Sequence, residues 1–403
     1  MSPARLLLAL CAWSVSMSQN QKPPVNWLAA SVLLSTPIIA LIAIPWYAMN
    51  HDFSTSAWVL MVVYLYMNGL GITAGYHRLW AHKAYDAHWS VQIVLMLWGT
   101  AAIQNSILNW ASGHRVHHRF VDDVDKDPYS AKRGFWFSHI GWMLRDYPSG
   151  QLDYSNSPDL LKNKIVMFQH KYYLPLVLLM NIAVPMLVGY AIGDFWGGVL
   201  LVGLLRLVLS HHFTFFINSL AHMWGKQPYT DENTARDNFW IALLTYGEGY
   251  HNFHHIFQYD YRNGVKWWQF DPTKWLILAL SWVGLTSNLK RIPNFTIRKA
   301  ELLMQFKRAQ QQLEQKSSKL PHVDIEALKQ RIALEYDAFV VTMNEWGKLK
   351  EEWYAEKKQA VMQKWEDASF KTRFSEIEYR LKMQNKRMQL LMQQMMLPQA
   401  TTS

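Results

Sequence analysis

Apolar and polar positions fall in long blocks along this chain, not at the short periods of a soluble fold. Trp27 to Met49 is apolar and free of Lys, Arg, Asp and Glu. That is long enough for a transmembrane helix, which needs about 20 residues. Pro37 and Pro45 lie inside it and are sites for a kink. A polar turn, Asn50-His51-Asp52, precedes a second span from about Ala57 to Ala74. Two more spans are predicted, one at Tyr172 to Ile192 with Pro175 and Pro185. The other, at about Trp196 to Ile217, is interrupted by Arg206, His211 and His212. Val91 to Leu108 is less apolar, with Gln92, Gln104 and Asn105 in it, and reads as a helix in the interface or buried in protein. The aromatic run Gly134 to Trp142 and the short stretch Trp275 to Leu285 also read as interfacial.

The pattern changes at about Arg298, beyond which charged residues, Gln and Met dominate. A helix is predicted from about Thr296 to Lys316, a break near Pro321, then a longer helix to about Met396. Ile325, Leu328, Ile332, Phe339, Met343, Trp346 and Trp353 recur three, four or seven apart. Such spacing suits a coiled coil or a helix docked on a core; a solvated hairpin with an apolar stripe is the alternative. The Met388–Met396 stretch is a candidate for docking on a membrane or partner. Residues 1–18, with Arg5 and an apolar run from Leu6 to Trp13, resemble a weak signal peptide without a convincing cleavage site. A start at Met17 is the other explanation. The organisation predicted is an amino-terminal segment (1–25), a membrane domain (26–295) and a charged helical extension (296–403).

Composition sharpens this picture in three places. The 20 Trp and 19 Tyr favour membrane interfaces. The net charge of +10 suits anionic lipid headgroups or an anionic substrate, and basic loops on one side explain much of it. No basic patch with interleaved aromatics points to nucleic acid. The single cysteine, Cys11, excludes an intrachain disulfide and a cysteine metal site.

Histidine carries the chemistry. Nine of the 16 histidines lie in three clusters and one isolated position. The clusters are His77 and His82; His114, His117 and His118; and His251, His254 and His255, with His222 alone. Four spans put every cluster and both tails on one side of the bilayer, and that side is rich in Lys and Arg and so cytoplasmic. Positions i, i+3 and i+4 share a helix face, which fits the second and third clusters. Adjacent histidines diverge by about 100° at 3.6 residues per turn, so they can feed neighbouring metals. His77 and His82, five apart, are separated on an α-helix by the same reasoning. Nine imidazoles exceed one ion's needs, so two ions are expected. Imidazole suits iron, zinc and copper, and spacing alone does not choose among them. Glu248 stands three before His251, a spacing found in carboxylate di-iron bundles, but it occurs once here and is not read as a ligand.

These clusters, in their order and intervals, resemble the membrane fatty acyl desaturases. The likeness is to the acyl-CoA Δ9 (stearoyl-CoA desaturase-like) branch, in a bacterial type with a C-terminal helical extension. It is carried by Gly71-Ile72-Thr73-Ala74-Gly75 before the first cluster and by the second cluster. Gly134 to His139, Asn218 to His222, and Gly247 to His255 carry the rest, and coverage runs from about residue 26 to 290. The resemblance implies an all-α membrane protein of four transmembrane helices with a cytosolic helical cap holding a di-iron site. Its implied iron ligands are His77, His82, His114, His117, His118, His222, His251, His254 and His255, with Asn218 reaching one iron through a water. It implies that Gln104, Trp110 and Thr214 shape the bend of an acyl tunnel and that Leu65 and Gly69 lie near its closed end. His139 matches a position that is not a ligand in the family; His211 and His212 are not ligand positions either.

The implied reaction removes two hydrogens from an unactivated acyl chain with dioxygen and two electrons, giving a cis double bond, at Δ9 by branch. The implied substrate is a fatty acyl-CoA. Ser112-Gly113 stands where animal members carry Arg-Asp near the CoA headgroup, so a phospholipid-linked acyl chain is the alternative carrier. No His-Pro-Gly-Gly cytochrome b5 module, ferredoxin or flavin motif occurs. The electrons are expected from a separate donor, such as a ferredoxin, rubredoxin or cytochrome b5-type protein with its reductase. A related di-iron hydroxylase is the competing enzyme reading. A metal transporter or sensor is the competing non-enzyme reading, disfavoured because the clusters follow the spans and do not interrupt them. The location expected is an integral membrane one, in the cytoplasmic membrane if the source is bacterial.

Overall fold

The computed structural model describes residues 22–316, 325–358 and 364–396. The expected signal-like segment, Cys11, His322 and the break near Pro321 lie outside the described residues. Among the described residues the regular elements are helices, apart from one antiparallel pair of two-residue strands, β1 (Asp86–Ala87) and β2 (Thr286–Ser287). It divides into two compact units. One comprises residues 22–224, 238–249 and 261–289; the other comprises 225–237, 250–260 and the described part of 290–396.

The first unit holds four helices long and apolar enough to cross a membrane: α1 (Trp27–Asn50), α2 (Thr55–Ala81), α5 (Tyr173–Ala191) and α6 (Phe195–Met223). Much of their apolar surface is uncovered by protein. Leu28, Leu41, Leu174, Leu187 and Tyr190 are each at least 66% exposed, as lipid-facing side chains are, and the chain is an integral membrane protein. Asn26 and Ser54 cap the starts of α1 and α2 by accepting the N–H of Ala29 and Ala57. α2 runs past the expected Ala74 to Ala81, and its last eleven residues, Gly71–Ala81, are π-helical.

The single helix expected over Val91 to Leu108 is two, α3 (Trp89–Thr100) and α4 (Ile107–Phe120). The chain turns between them, with Ile103 and Asn105 at φ of 49° and 76°. Unwound backbone beside a membrane core needs partners for its polar groups. Arg206 Nη1 donates to the Ala101 carbonyl at 2.7 Å, and His211 Nε2 donates to the Ala102 carbonyl at 2.8 Å. Arg206 Nη2 also donates to Asn181 Oδ1 at 3.0 Å. The polar interruptions of the fourth span are therefore fasteners for this turn. Ser106 and Gln169 then restart the chain as α4, each accepting a backbone N–H of its first turn.

The second unit contains α7 (His251–Ile256), α9 (Asn294–Lys316), α10 (Ile325–Lys358) and α11 (Lys364–Met396); α8 (Pro272–Trp282) belongs to the first. The long terminal helix expected to about Met396 is two helices, α10 and α11. Arg373, Arg380 and Arg387 pair with Glu352, Glu345 and Glu335. Rising numbers on one helix against falling numbers on the other make the two antiparallel. The apolar stripe read from the sequence folds back on itself: Phe339 and Leu349 share one core with Leu302, Phe306, Ile377 and Leu381.

Candidate metal centre

The first cluster owes its shape to the π-helical end of α2. A π-helix closes on the fifth residue, so positions five apart lie one above the other. His82 donates its N–H to the His77 carbonyl at 3.0 Å, and the two rings sit 4.8 Å apart. The expectation that a spacing of five separates them is overturned. The physical reason is this wider helical register, which no spacing rule for an α-helix contains.

α4 adds the second cluster. His114 and His118, one α-helical turn apart, join His77 and His82, and the ligand-capable nitrogens of all four lie within 4.8 Å of one another. His82 Nε2 is 2.8 Å from His114 Nε2. His117, adjacent to His118, turns elsewhere and lies within the same reach of His222. Its ring is 5.5 Å from that of His222. The fourth span ends at this point, with Asn218 one turn before His222. In the second unit, α7 brings His251 and His255 to an Nε2–Nε2 distance of 3.0 Å, with His254 between them in sequence.

Two buried carboxylates fix ring orientation: Glu248, which the sequence reading weighed only as a ligand, and Asp127, which it left in a solvated loop. Glu248 Oε2 is 2.9 Å from His77 Nδ1, and Asp127 Oδ1 is 2.8 Å from His117 Nδ1. An imidazole held at one nitrogen offers the other to a metal, the usual outer support of histidine ligands. Burial opposes the charge on Glu248, but His77 and Arg78 outweigh it and bring its pKa down to about 2. Asp127 is lowered too: burial raises it, while His117 and the N–H groups of Asp122 and Tyr129 prevail. Asp127 stands in an acidic run that reads as a solvated loop; Asp122 of that run is buried too, and the contact with His117 is what sets Asp127 apart.

Arg78 ties this support together. Its guanidinium, fully buried, donates to Glu248 Oε1 at 2.8 Å and to the Tyr261 carbonyl at 2.8 Å, and pairs with Asp271 at 3.0 Å. Asp271 also accepts the N–H groups of Asn263, Gly264 and Lys274, so it caps α8 and anchors the loop before it.

The donor set fits metal ions. It is entirely imidazole, buried but for the half-buried His118 and His255, and crowded nitrogen against nitrogen. Burial, with neighbouring histidines adding to it, pushes His82 and His118 well below the ordinary imidazole pKa. They are therefore neutral, the form that ligates metal. These histidine clusters could bind metal; nitrogen donors alone are compatible with iron, zinc or copper.

The residues expected to bind substrate also find places. Gln104 Nε2 donates to Thr214 Oγ1 at 2.9 Å, and Trp110 Nε1 donates to Gln104 Oε1 at 3.3 Å. These three half-buried groups form one chain, and Trp110 stacks on His114 with ring centroids 4.8 Å apart. Leu65 and Gly69 both meet Tyr246, a residue the sequence reading did not single out. The Leu65 carbonyl accepts from the Tyr246 hydroxyl at 3.1 Å, and a Cβ on Gly69 would stand 2.1 Å from the Tyr246 ring. His139 contacts Ser219 and His212, while His88 and His170 hydrogen-bond to Ser90 and Ser106.

A model of the fatty acid desaturase family matches residues 53–281. The chain is 43% identical over 282 residues to a probable acyl-CoA desaturase of Schizosaccharomyces pombe, covering 70% of this chain and 58% of that protein. It is 40% identical over 285 residues to acyl-CoA desaturase 1 of Saccharomyces cerevisiae, with 70% and 55% covered. It is 39% identical over 259 residues to stearoyl-CoA desaturase of Bos taurus, with 63% and 70% covered. The chain thus spans little more than half the length of the two yeast relatives.

Proposed function

Because this chain belongs to the fatty acid desaturase family, we propose that it introduces a cis double bond, at Δ9, into a saturated fatty acyl-CoA. The overall change is balanced: the acyl chain loses two hydrogens, and dioxygen with two electrons and two protons becomes two waters. The observation that carries the reading is the crowding of imidazoles where spans α2 and α6 end.

Two iron ions are the proposed residents. The ligands proposed are His77, His82, His114, His117, His118, His222, His251, His254 and His255. Asn218 would reach one of the two ions through a water. Iron supplies the dioxygen chemistry that side chains lack. The protein's own part is placement and exclusion of water. Glu248 and Asp127 hold His77 and His117 in one ring orientation. The linked side chains of Trp110, Gln104 and Thr214 form a polar elbow against which an acyl chain bends. Tyr246, pressed against Leu65 and Gly69, closes the far end. Electrons come from a separate donor such as a ferredoxin, rubredoxin or cytochrome b5-type protein with its reductase. The active face is cytoplasmic, in the inner membrane if the source is bacterial. The amino-terminal segment, membrane domain and helical extension divide at about residues 25 and 295.

The test is the fatty-acid profile, with double-bond positions, of a host lacking its own desaturase. The host expresses this chain, or His254→Ala, with a compatible donor. A monoene at carbon 9 from the intact chain alone is the expected result. A hydroxy acid would move the assignment to a hydroxylase. A new double bond confined to phospholipid-bound chains, with acyl-CoA untouched, would replace the carrier.

A further inference from the structure

The third histidine cluster rides on a helix too short to hold itself. α7 has six residues, and helices of that length are unstable in isolation. The first N–H groups of any helix lack partners within it. Here three of them are met by the neighbouring residues Arg236 and Asp237. His251 donates to the Arg236 carbonyl at 3.3 Å. Asn252 and Phe253 donate to Asp237 Oδ1 at 2.8 and 3.1 Å. The Asn252 side chain is wired to the same segment. Its Oδ1 accepts from the N–H groups of Tyr229 and Thr230, and its Nδ2 donates to the carbonyls of Thr230 and Ala235. Phe253 and Phe257 pack their rings on Tyr229. The loop 225–237 therefore sets where α7 lies.

That loop is held in turn by α9. The Arg308 guanidinium donates to the Gln227 carbonyl, and Lys307 Nζ pairs with Asp231 at 2.7 Å. Just ahead of α9, Ile292 donates its N–H to Asp260 Oδ2, four residues beyond α7, at 2.8 Å. α9 itself is seated in the bundle by Leu302, Phe306 and Ala309 in the apolar core. A polar layer fixes its register: Gln305 Nε2 donates to Asn385 Oδ1 and Asn385 Nδ2 donates to Glu301 Oε2, at 2.8 and 3.0 Å. Loop 225–237 and segment 250–260 accordingly share one compact unit with the C-terminal helices.

We infer that the C-terminal helical bundle is a scaffold for the third histidine cluster, with α9 gripping loop 225–237 and that loop positioning His251, His254 and His255. Arg308 and Leu302 are then positioning residues that act through that loop. The consequence for metal binding rests on the two-ion reading above; the mechanical linkage does not.

The experiment is amide hydrogen exchange on the full chain, metal-free, in nanodiscs, comparing it with Arg308→Ala and with Leu302→Ala. Exchange at residues 251–257 should quicken about tenfold in Leu302→Ala and less in Arg308→Ala, since local opening follows the loss of buried contacts. Exchange at residues 107–120, carrying the second cluster, should stay as it was. Arg308→Lys should recover part of the protection, because the ammonium can still donate to a carbonyl. Unchanged exchange at 251–257 in both variants overturns the inference. So does a rise shared equally by 107–120, because the scaffold acts locally. Iron titration of the unmodified chain is read separately: no iron uptake there sinks the two-ion reading and leaves the exchange result standing.

Discussion

The first and third histidine clusters meet the same need by opposite means. His77 and His82 stand on the end of a 27-residue span, α2, which is amply stabilised along its length. Their alignment comes from the backbone itself, through the π-helical register of Gly71–Ala81. His251, His254 and His255 stand on six residues whose alignment is ordinary, but whose position is imposed from outside. A long helix can carry local strain and keep its place. A short helix keeps easy geometry and borrows its place from neighbours. The difference predicts where each cluster is vulnerable: the first to changes of register, the third to loss of support.

Register comes first in size of effect. Inserting one alanine between Leu79 and Trp80 makes the spacing of the first pair six, which neither helix type aligns. We expect metal content, measured by elemental analysis, to fall by at least one ion per chain, while a matched insertion in the loop at residue 150 leaves it unchanged. Next is Glu248→Ala, which strips Arg78 and His77 of a buried carboxylate. Removing one partner of a buried pair costs about 3–5 kcal/mol, so the thermal transition should fall sharply; a drop no larger than that of a surface variant would show the network to be slack. Asn252→Ala leaves two N–H groups and two carbonyls unmet, at about 1–3 kcal/mol for a buried group. Its damage should be confined to the third cluster, read as weaker retention of metal against a chelator with little change in overall helicity. Smallest is Arg380→Ala, on the outer face of the supporting bundle. Exposed pairs contribute below about 1 kcal/mol, and metal retention should not move. A large loss there would mean that the bundle's surface, and not its core, supports α7.

The four spans were legible because each is a run of apolar residues that only a bilayer or a protein core would cover. α1 matches its predicted limits to within a residue. The histidine clusters were legible as clusters, since so many imidazoles near apolar runs need a common purpose. The join inside them was not. A π-helix is a response to tertiary packing and leaves no periodic trace, so the pair at 77 and 82 looked divergent. Asp127 was hidden in an acidic run, and Glu248 was weighed only as a ligand, not as the group that orients one. Tyr246, Asp237 and Asn252 had no signal at all: a tyrosine in an aromatic-rich chain, an aspartate in a polar loop and an asparagine between histidines carry no mark of burial. The tail's apolar stripe was visible, but not that it would be shared between α10 and α11 folded against each other.

Arg206 has one more consequence, for how the protein is made. A lone arginine at mid-span is poorly accepted when a segment first meets the bilayer. Its amide partner, Asn181, lies on the preceding span, and its carbonyl partner, Ala101, belongs to a segment synthesised earlier still. The fourth span is thus a poor passenger alone and a good one in company. During biosynthesis α5 should wait beside the insertion machinery until α6 emerges, and the two should pass into lipid together as a hairpin.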